Sequence, residues 1–510
     1  MAPNPPKNIS RAHCGSRRRV IASTLRLGDL LIRGKLATVD GVNRAIEHQS
    51  RHGGRLGECL VATGAISHDG LDAFLRRLPA EPENLEASGV EPAILMGLLL
   101  KLIYSGRLET ERQFAETIKL PYPIVTELVH MAVERKLLMS LGSREAAGLG
   151  ELAYALTEEG RRWTLDLLSH SGYTGPAPVT LADFTEQVNR NKLSNEVISF
   201  DRIRKSTSAL TLEDSLIEQC GPAINSGRAI LLYGLSGNGK TSLAYCLAGV
   251  FDNVIYVPYA VIVEDQMIRV YDPSIHCAVG PAGFRDEGRF SLVRREVFDA
   301  RWVACRRPFV VAGGELTLDM LDLRYDAAGH FYEAPLHVKA LGGCFIIDDF
   351  GHQLVSPTNL LNRWIVPLEN RVDYLKLHTG KTFRIPFEEL IIFSTNLEPR
   401  DLMDAAFLRR IPYKIEVAGP TLEAFRTILE KECTRAGLDL PNEVFATIAY
   451  RLRKEKGVEL ACYQPKFLVD QVVASCRFMQ QPPHFEHRFL SYALNNLCIN
   501  HAQKAIARAA

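Results

Sequence analysis

Nine consecutive residues carry the most specific chemistry in the chain: Gly234, Leu235, Ser236, Gly237, Asn238, Gly239, Lys240, Thr241 and Ser242. Their spacing satisfies G-x-x-x-x-G-K-[ST] at every fixed position. Glycines at 234, 237 and 239 let a loop fold back until successive backbone N–H groups point at one anion. A helix beginning near Lys240 would add its positive N-terminal end to that cradle. Lys240 is then in reach of the outer phosphates of a nucleoside triphosphate, and the Thr241 hydroxyl can ligate Mg²⁺.

Two further stretches could complete such a site. Cys344-Phe-Ile-Ile-Asp348-Asp349 is an apolar run ending in two carboxylates, and Leu390-Ile-Ile-Phe-Ser-Thr-Asn396 is a second run with an amide at its tip. Asp348 suits the water shell of Mg²⁺, and Asp349 suits orientation or deprotonation of an attacking water. Asn396 could hold the same water or the terminal phosphate. Beyond them, Ala405-Ala-Phe-Leu-Arg409-Arg410 sets two arginines at a helix end before a last strand, where they either reach a phosphate or form a solvated, ion-paired helix terminus.

These residues need a frame. Ala229-Ile-Leu-Leu-Tyr233, the Cys344 run and the Leu390 run are short and continuously apolar, as expected of central strands in a parallel sheet covered on both faces. Ligands bind at the C-terminal edge of such sheets, where all three motifs end. The 510 residues exceed one core and suggest three or four domains. Hydrophobic residues at 46% and charged residues at 23% are those of a globular protein, and a formal net charge of +1 offers no global attraction for nucleic acid or membrane. Eleven cysteines stand singly without a C-x-x-C pair, which disfavours a zinc ribbon or a disulfide framework and suits a reducing cytosol. No signal peptide or membrane span is expected, and the expected location is cytoplasmic.

In chain order, residues 1–20 read as a basic, disordered tail. Arg26-Leu-Gly-Asp-Leu-Leu31 is echoed 29 residues later by Arg55-Leu-Gly-Glu-Cys-Leu60, predicting a small helical repeat domain over 21–80. An acidic, Pro-containing linker follows. Residues 91–170 read as three helices, a short strand pair from Leu137–Leu141 and Tyr154–Leu156, and a fourth helix, with Tyr122–Lys136 strongly amphipathic. This winged-helix-like pattern admits DNA, but Glu127 and Glu134 on the would-be recognition helix favour a protein-contact or spacer role. A linker over 171–192, the ATPase core over 193–419 and a helical segment over 420–510 complete the chain.

Taken together and in this order, the phosphate loop, the Asp348-Asp349 strand, the Asn396-tipped strand and the Phe-Leu-Arg-Arg box resemble the AAA+ ATPases. The resemblance implies an α/β P-loop core of three layers with a helical lid, an ATP and Mg²⁺ site, and a homo-oligomer, hexameric in one form. It also implies a sensor role for Asn396 and an arginine finger at Arg409 or Arg410 acting on a neighbouring subunit's nucleotide. Two positions depart from the pattern. Asp349 stands where the family usually has Glu, and the lid offers Lys466 where an arginine is usual, giving charge without the bidentate fork. A hairpin pattern around His378-Thr-Gly380, within Val372–Pro386, resembles that of MoxR-type members. The 260–339 stretch, between the expected second and third strands, is longer than a crossover needs. The N-terminal repeat resembles the N-terminal domain of type II secretion and type IV pilus assembly ATPases. Some members bind cyclic di-GMP there, which would engage Arg26 and Arg55; a plain docking domain is the alternative. Three functions follow: an ATPase remodelling or assembling a protein partner, a DNA motor, or a slow nucleotide switch.

Overall fold

A computed structural model describes residues 27–146, 149–280, 298–455 and 458–497. At its centre lies a five-stranded parallel sheet, ordered Tyr413–Glu416, Ile230–Tyr233, Leu390–Ser394, Cys344–Ile347, Phe309–Ala312. Strand alternation sends Ile230, Leu232, Ile346 and Ile392 into one core with Leu243 and Leu247. Leu231, Phe345, Ile347, Ile391 and Phe393 enter the opposite core around the fully buried Trp364. Both faces are covered, which is why these strands are apolar at every position.

The edge strand departs from the sequence expectation. Phe309–Ala312, from inside the stretch read as an insertion, pairs with Cys344–Ile347, Ala312 lying opposite Ile347. Val254–Pro258 instead pairs antiparallel with Trp302–Arg306, outside the central sheet. Parallel pairing is non-local, so two apolar runs of similar length compete for one edge and neither advertises the winner.

The rest of the long stretch builds a second five-stranded sheet, ordered Arg324–Asp326, Phe331–Glu333, Gln266–Arg269, Ala260–Val263, Val179–Thr180. Its last strand comes from the stretch expected to be a linker, as does the ten-residue helix Leu181–Arg190. Thr180 caps that helix, accepting from Asp183 N at 3.0 Å, and its apolar side packs Phe184 among Val257, Ile268 and Trp302. The antiparallel pair Val372–Lys376 and Thr382–Pro386 contributes Leu375 and Ile385 to the same core, and the turn between them adds Leu377.

Four helices open the described chain: Leu27–Arg33, Val39–His52, Leu56–Ala62 and His68–Leu75. Leu31 and Leu60, equivalent in the 29-residue repeat, are both fully buried in their shared core. Then come Pro92–Gly106, Glu111–Ile118 and Tyr122–Glu134, the antiparallel pair Leu138–Ala146 and Leu149–Leu156, and the helix Glu158–His170. At the other end, Leu422–Ala436, Asn442–Tyr450 and Tyr463–Phe478 share a separate apolar core with Leu490 and Leu494. No helix among the described residues is long and apolar enough to cross a membrane.

Candidate nucleotide-binding site

Three adjacent strands, Ile230–Tyr233, Leu390–Ser394 and Cys344–Ile347, end at one edge of the central sheet, and their following residues converge there. The glycine loop leaves the first strand and enters the helix Lys240–Ala248. Its tight course has visible causes. At Gly234, φ is 132° and a Cβ would lie 2.7 Å from the Val417 carbonyl oxygen. At Gly237, φ is 85° and a Cβ would lie 2.2 Å from Cδ1 of Tyr463. No side chain is tolerated at either place without moving the neighbour.

Lys240 is buried and donates from Nζ to Gly234 O and Leu235 O at 2.9 Å each and to Asn396 Oδ1 at 2.7 Å. Burial pulls its pKa down, opposed by the charges of Asp349 and Asp348. Thr241 Oγ1 donates to Asp348 Oδ1 at 2.9 Å. Asn396 Nδ2 donates to Asp349 Oδ1 at 3.2 Å. Lys240, Thr241, Asp348, Asp349 and Asn396, distant in sequence, therefore form one hydrogen-bonded cluster at the sheet edge. A hydroxyl and a carboxylate side by side are hard oxygen donors that fit Mg²⁺. An ammonium beside a loop of backbone N–H groups fits phosphate oxygens.

Asp349 has φ 49°, a left-handed conformation that costs a non-glycine residue on the order of 1 kcal/mol. Its neighbours hold it there. Gln353 Nε2 donates to Asp348 O at 2.9 Å and to Asp349 O at 3.2 Å, and Phe350 N donates to Ser394 O at 2.7 Å. Gln353 belongs to no motif, and nothing in the sequence singles it out.

The remaining predicted residues are placed as follows. Leu235, Ser236 and Ser242 are exposed on the loop and the first turn of its helix, whereas Asn238 is buried and donates from Nδ2 to Val417 O at 3.3 Å. Arg410 is engaged within its own chain: Nε lies 2.7 Å from Glu369 Oε1, and the guanidinium covers the Phe407 ring at 5.6 Å. Arg409 is exposed. Lys466 is also exposed, on the first turn of Tyr463–Phe478, and is not joined to the cluster by any hydrogen bond or ion pair among the described residues. That helix meets the loop through a different residue, Tyr463, whose N–H donates to Gly237 O at 3.0 Å. Arg55 is exposed at the start of Leu56–Ala62, and Arg26 and the 1–20 tail lie outside the described residues.

Residues 421–496 match a family model described as a Domain of unknown function (DUF8689). A 71-residue segment is 42% identical to the type IV pilus assembly ATPase PilB of Myxococcus xanthus (strain DK1622). The match spans 14% of this chain and only 12% of that protein. Among solved structures, NtrX from Brucella abortus aligns over 51% of this chain and 48% of its own, at 14% identity and TM-score 0.32. A point mutant of RuvB from Thermotoga maritima aligns over 60% and 73%, at 13% identity and TM-score 0.31. Domain III of the replication initiation protein DnaA of Thermotoga maritima aligns over 60% and 97%, at 12% identity and TM-score 0.31.

Proposed function

We propose that this chain binds and hydrolyses ATP with Mg²⁺ as an AAA+ type ATPase. In this reading it works as a homo-oligomeric ring, such as a hexamer, that remodels or assembles a protein partner. The observation that carries the reading is the Lys240–Asn396–Asp349 hydrogen-bond chain beside the Thr241–Asp348 pair, at the edge of a parallel sheet. Lys240 and the loop amides bind the phosphates. Thr241 and Asp348 hold Mg²⁺, which when bound offsets the charge of the phosphate oxygens. Asp349 accepts a proton from, or orients, the attacking water, and Asn396 fixes the direction of that carboxylate. Asp is one methylene shorter than Glu, so this arrangement favours slow turnover. Arg409, exposed and at the end of Ala405–Arg410, is the guanidinium suited to a neighbouring subunit's phosphate.

A partner of protein rather than DNA is supported by the outward face of Tyr122–Glu134, where Glu127, His130 and Glu134 are exposed. Acidic side chains there would repel a phosphate backbone.

The decisive experiment measures ATP hydrolysis against protein concentration for the full chain and for Lys240→Ala. Specific activity should rise with concentration and vanish in the variant. Unchanged hydrolysis in Lys240→Ala would remove the assigned site, and activity independent of concentration would remove the ring.

A further inference from the structure

Away from the nucleotide site, a cavity of about 70 Å³ opens where three parts of the chain meet: the N-terminal helices, the segment after Leu181–Arg190, and the Val254–Pro258 strand pair. Its lining holds four cations, Arg77, Arg190, Lys192 and Arg307, against one carboxylate, Glu196. That carboxylate is already committed. Arg202 Nη2 lies 2.7 Å from it and Arg307 Nε 3.4 Å. Arg190 and Lys192 meet Glu186 and Glu388 outside the lining, and Glu388 is shared with Arg371. The Arg77 guanidinium has no carboxylate partner among the described residues, yet it lies near enough to repel Arg307. Arg307 is nearly fully buried and anchored by Nη1 on Asn191 O and Gly342 O.

Arg77, without a carboxylate of its own on the same crevice as the buried Arg307, is unfavourably placed unless an anion joins the two. The crevice has room for one tetrahedral oxyanion, and guanidinium forks match its oxygens in pairs. We propose that this crevice is a phosphate-binding site, taking free phosphate or the phosphoryl end of a phosphomonoester. Its walls belong to separate parts of the chain, so a bound phosphoryl group clamps the N-terminal helices onto the Val254–Pro258 and Trp302–Arg306 pair. The Lys35–Asp252 ion pair, 2.5 Å long, already joins the same two parts. Asp252 follows the helix that Lys240 begins, and the Arg307 guanidinium covers Phe251 at 5.8 Å.

The site stands independently of the ATPase reading, so the test is made on the full chain carrying Lys240→Ala, which weakens phosphate capture by the glycine loop. Inorganic phosphate and glycerol 2-phosphate are titrated calorimetrically at constant ionic strength, with sodium sulfate and sodium chloride as controls. One phosphate or one phosphomonoester should bind per chain, and Arg77→Ala should weaken it by about tenfold or more, with Arg77→Lys intermediate. Binding of phosphate alone, or of the ester alone, supports the site and tells the sources apart. Absence of binding, equal response to chloride, or an unchanged affinity in Arg77→Ala would overturn it. Arg77 is exposed, so its removal leaves the fold intact, which circular dichroism verifies.

Discussion

The Asn396 side chain joins Lys240 to Asp349 from opposite ends of one amide. Lysine can only donate, so the carbonyl oxygen must face Lys240, at 2.7 Å, and the NH₂ must face the carboxylate, at 3.2 Å. This arrangement orients the Asp349 carboxylate without neutralising it. Asn396→Ala should therefore lower ATP turnover by about 10²-fold while changing ATP affinity by less than about tenfold. Steady-state kinetics paired with equilibrium binding of a non-hydrolysable analogue check this. A loss confined to affinity would contradict the positioning role.

The neighbouring arginines should separate cleanly. Arg409→Ala should cost about 10³-fold in turnover with little change in Tm, since an arginine finger contributes in the assembled state. Arg410→Ala removes a part-exposed pair with Glu369 and the cover over Phe407, and should lower stability by about 1 kcal/mol or less. Thermal melts and turnover of both variants give the answer. The reverse pattern would reassign the finger to Arg410.

Gly237→Ala tests the seam between the glycine loop and the C-terminal helices. Its Cβ would overlap the Tyr463 ring in a left-handed backbone position, so loop and helix cannot both stay in place. ATP affinity should fall by about tenfold or more. Tyr463→Ala combined with Gly237→Ala should recover part of that loss. Binding titrations that show no recovery would place the whole defect in the backbone.

Acid sensitivity should originate at a buried histidine outside the glycine-loop cluster. His276 is buried with Nδ1 accepting from Asp272 N at 2.9 Å, which puts the ring proton on Nε2, 2.9 Å from Lys339 O. Burial lowers its pKa from 6.5 to about 4. The unfolded chain therefore binds the proton first. This stabilising contribution is complete above about pH 6.5 and is lost as pH falls toward 4, on the order of 3 kcal/mol. Melting temperatures measured from pH 7 to pH 4 should decline over this window, and His276→Gln should flatten the decline. His337, also lowered by burial, would sustain a residual slope.

The parts legible in the sequence were those set by short-range spacing. Gly234 to Thr241 must be contiguous to make a loop, and Asp348 and Asn396 announce themselves by ending apolar runs. Their meeting follows from the rule that parallel strands share a C-terminal edge. Tyr463 and Gln353 were illegible because a backbone N–H and a side-chain amide reaching backbone carbonyls leave no compositional trace. The edge strand Phe309–Ala312 and the Val179–Thr180 strand depend on partners 35 and 82 residues away, with Cys344 opposite Phe309 and Val261 opposite Val179. No local pattern encodes such choices.

The buried Arg301 guanidinium donates to Ser88 O at 3.0 Å and to Pro178 O at 3.1 Å, with Asp299 at its other side. Both of the stretches that read as connectors are thus moored to a single ion pair inside the second sheet's neighbourhood. The N-terminal part is therefore held to the rest of the chain by buried hydrogen bonds as well as by its covalent connection. A chain severed at residue 193 would lose both carbonyls that Arg301 grips and the outer strand Val179–Thr180, uncovering the apolar edge at Val261.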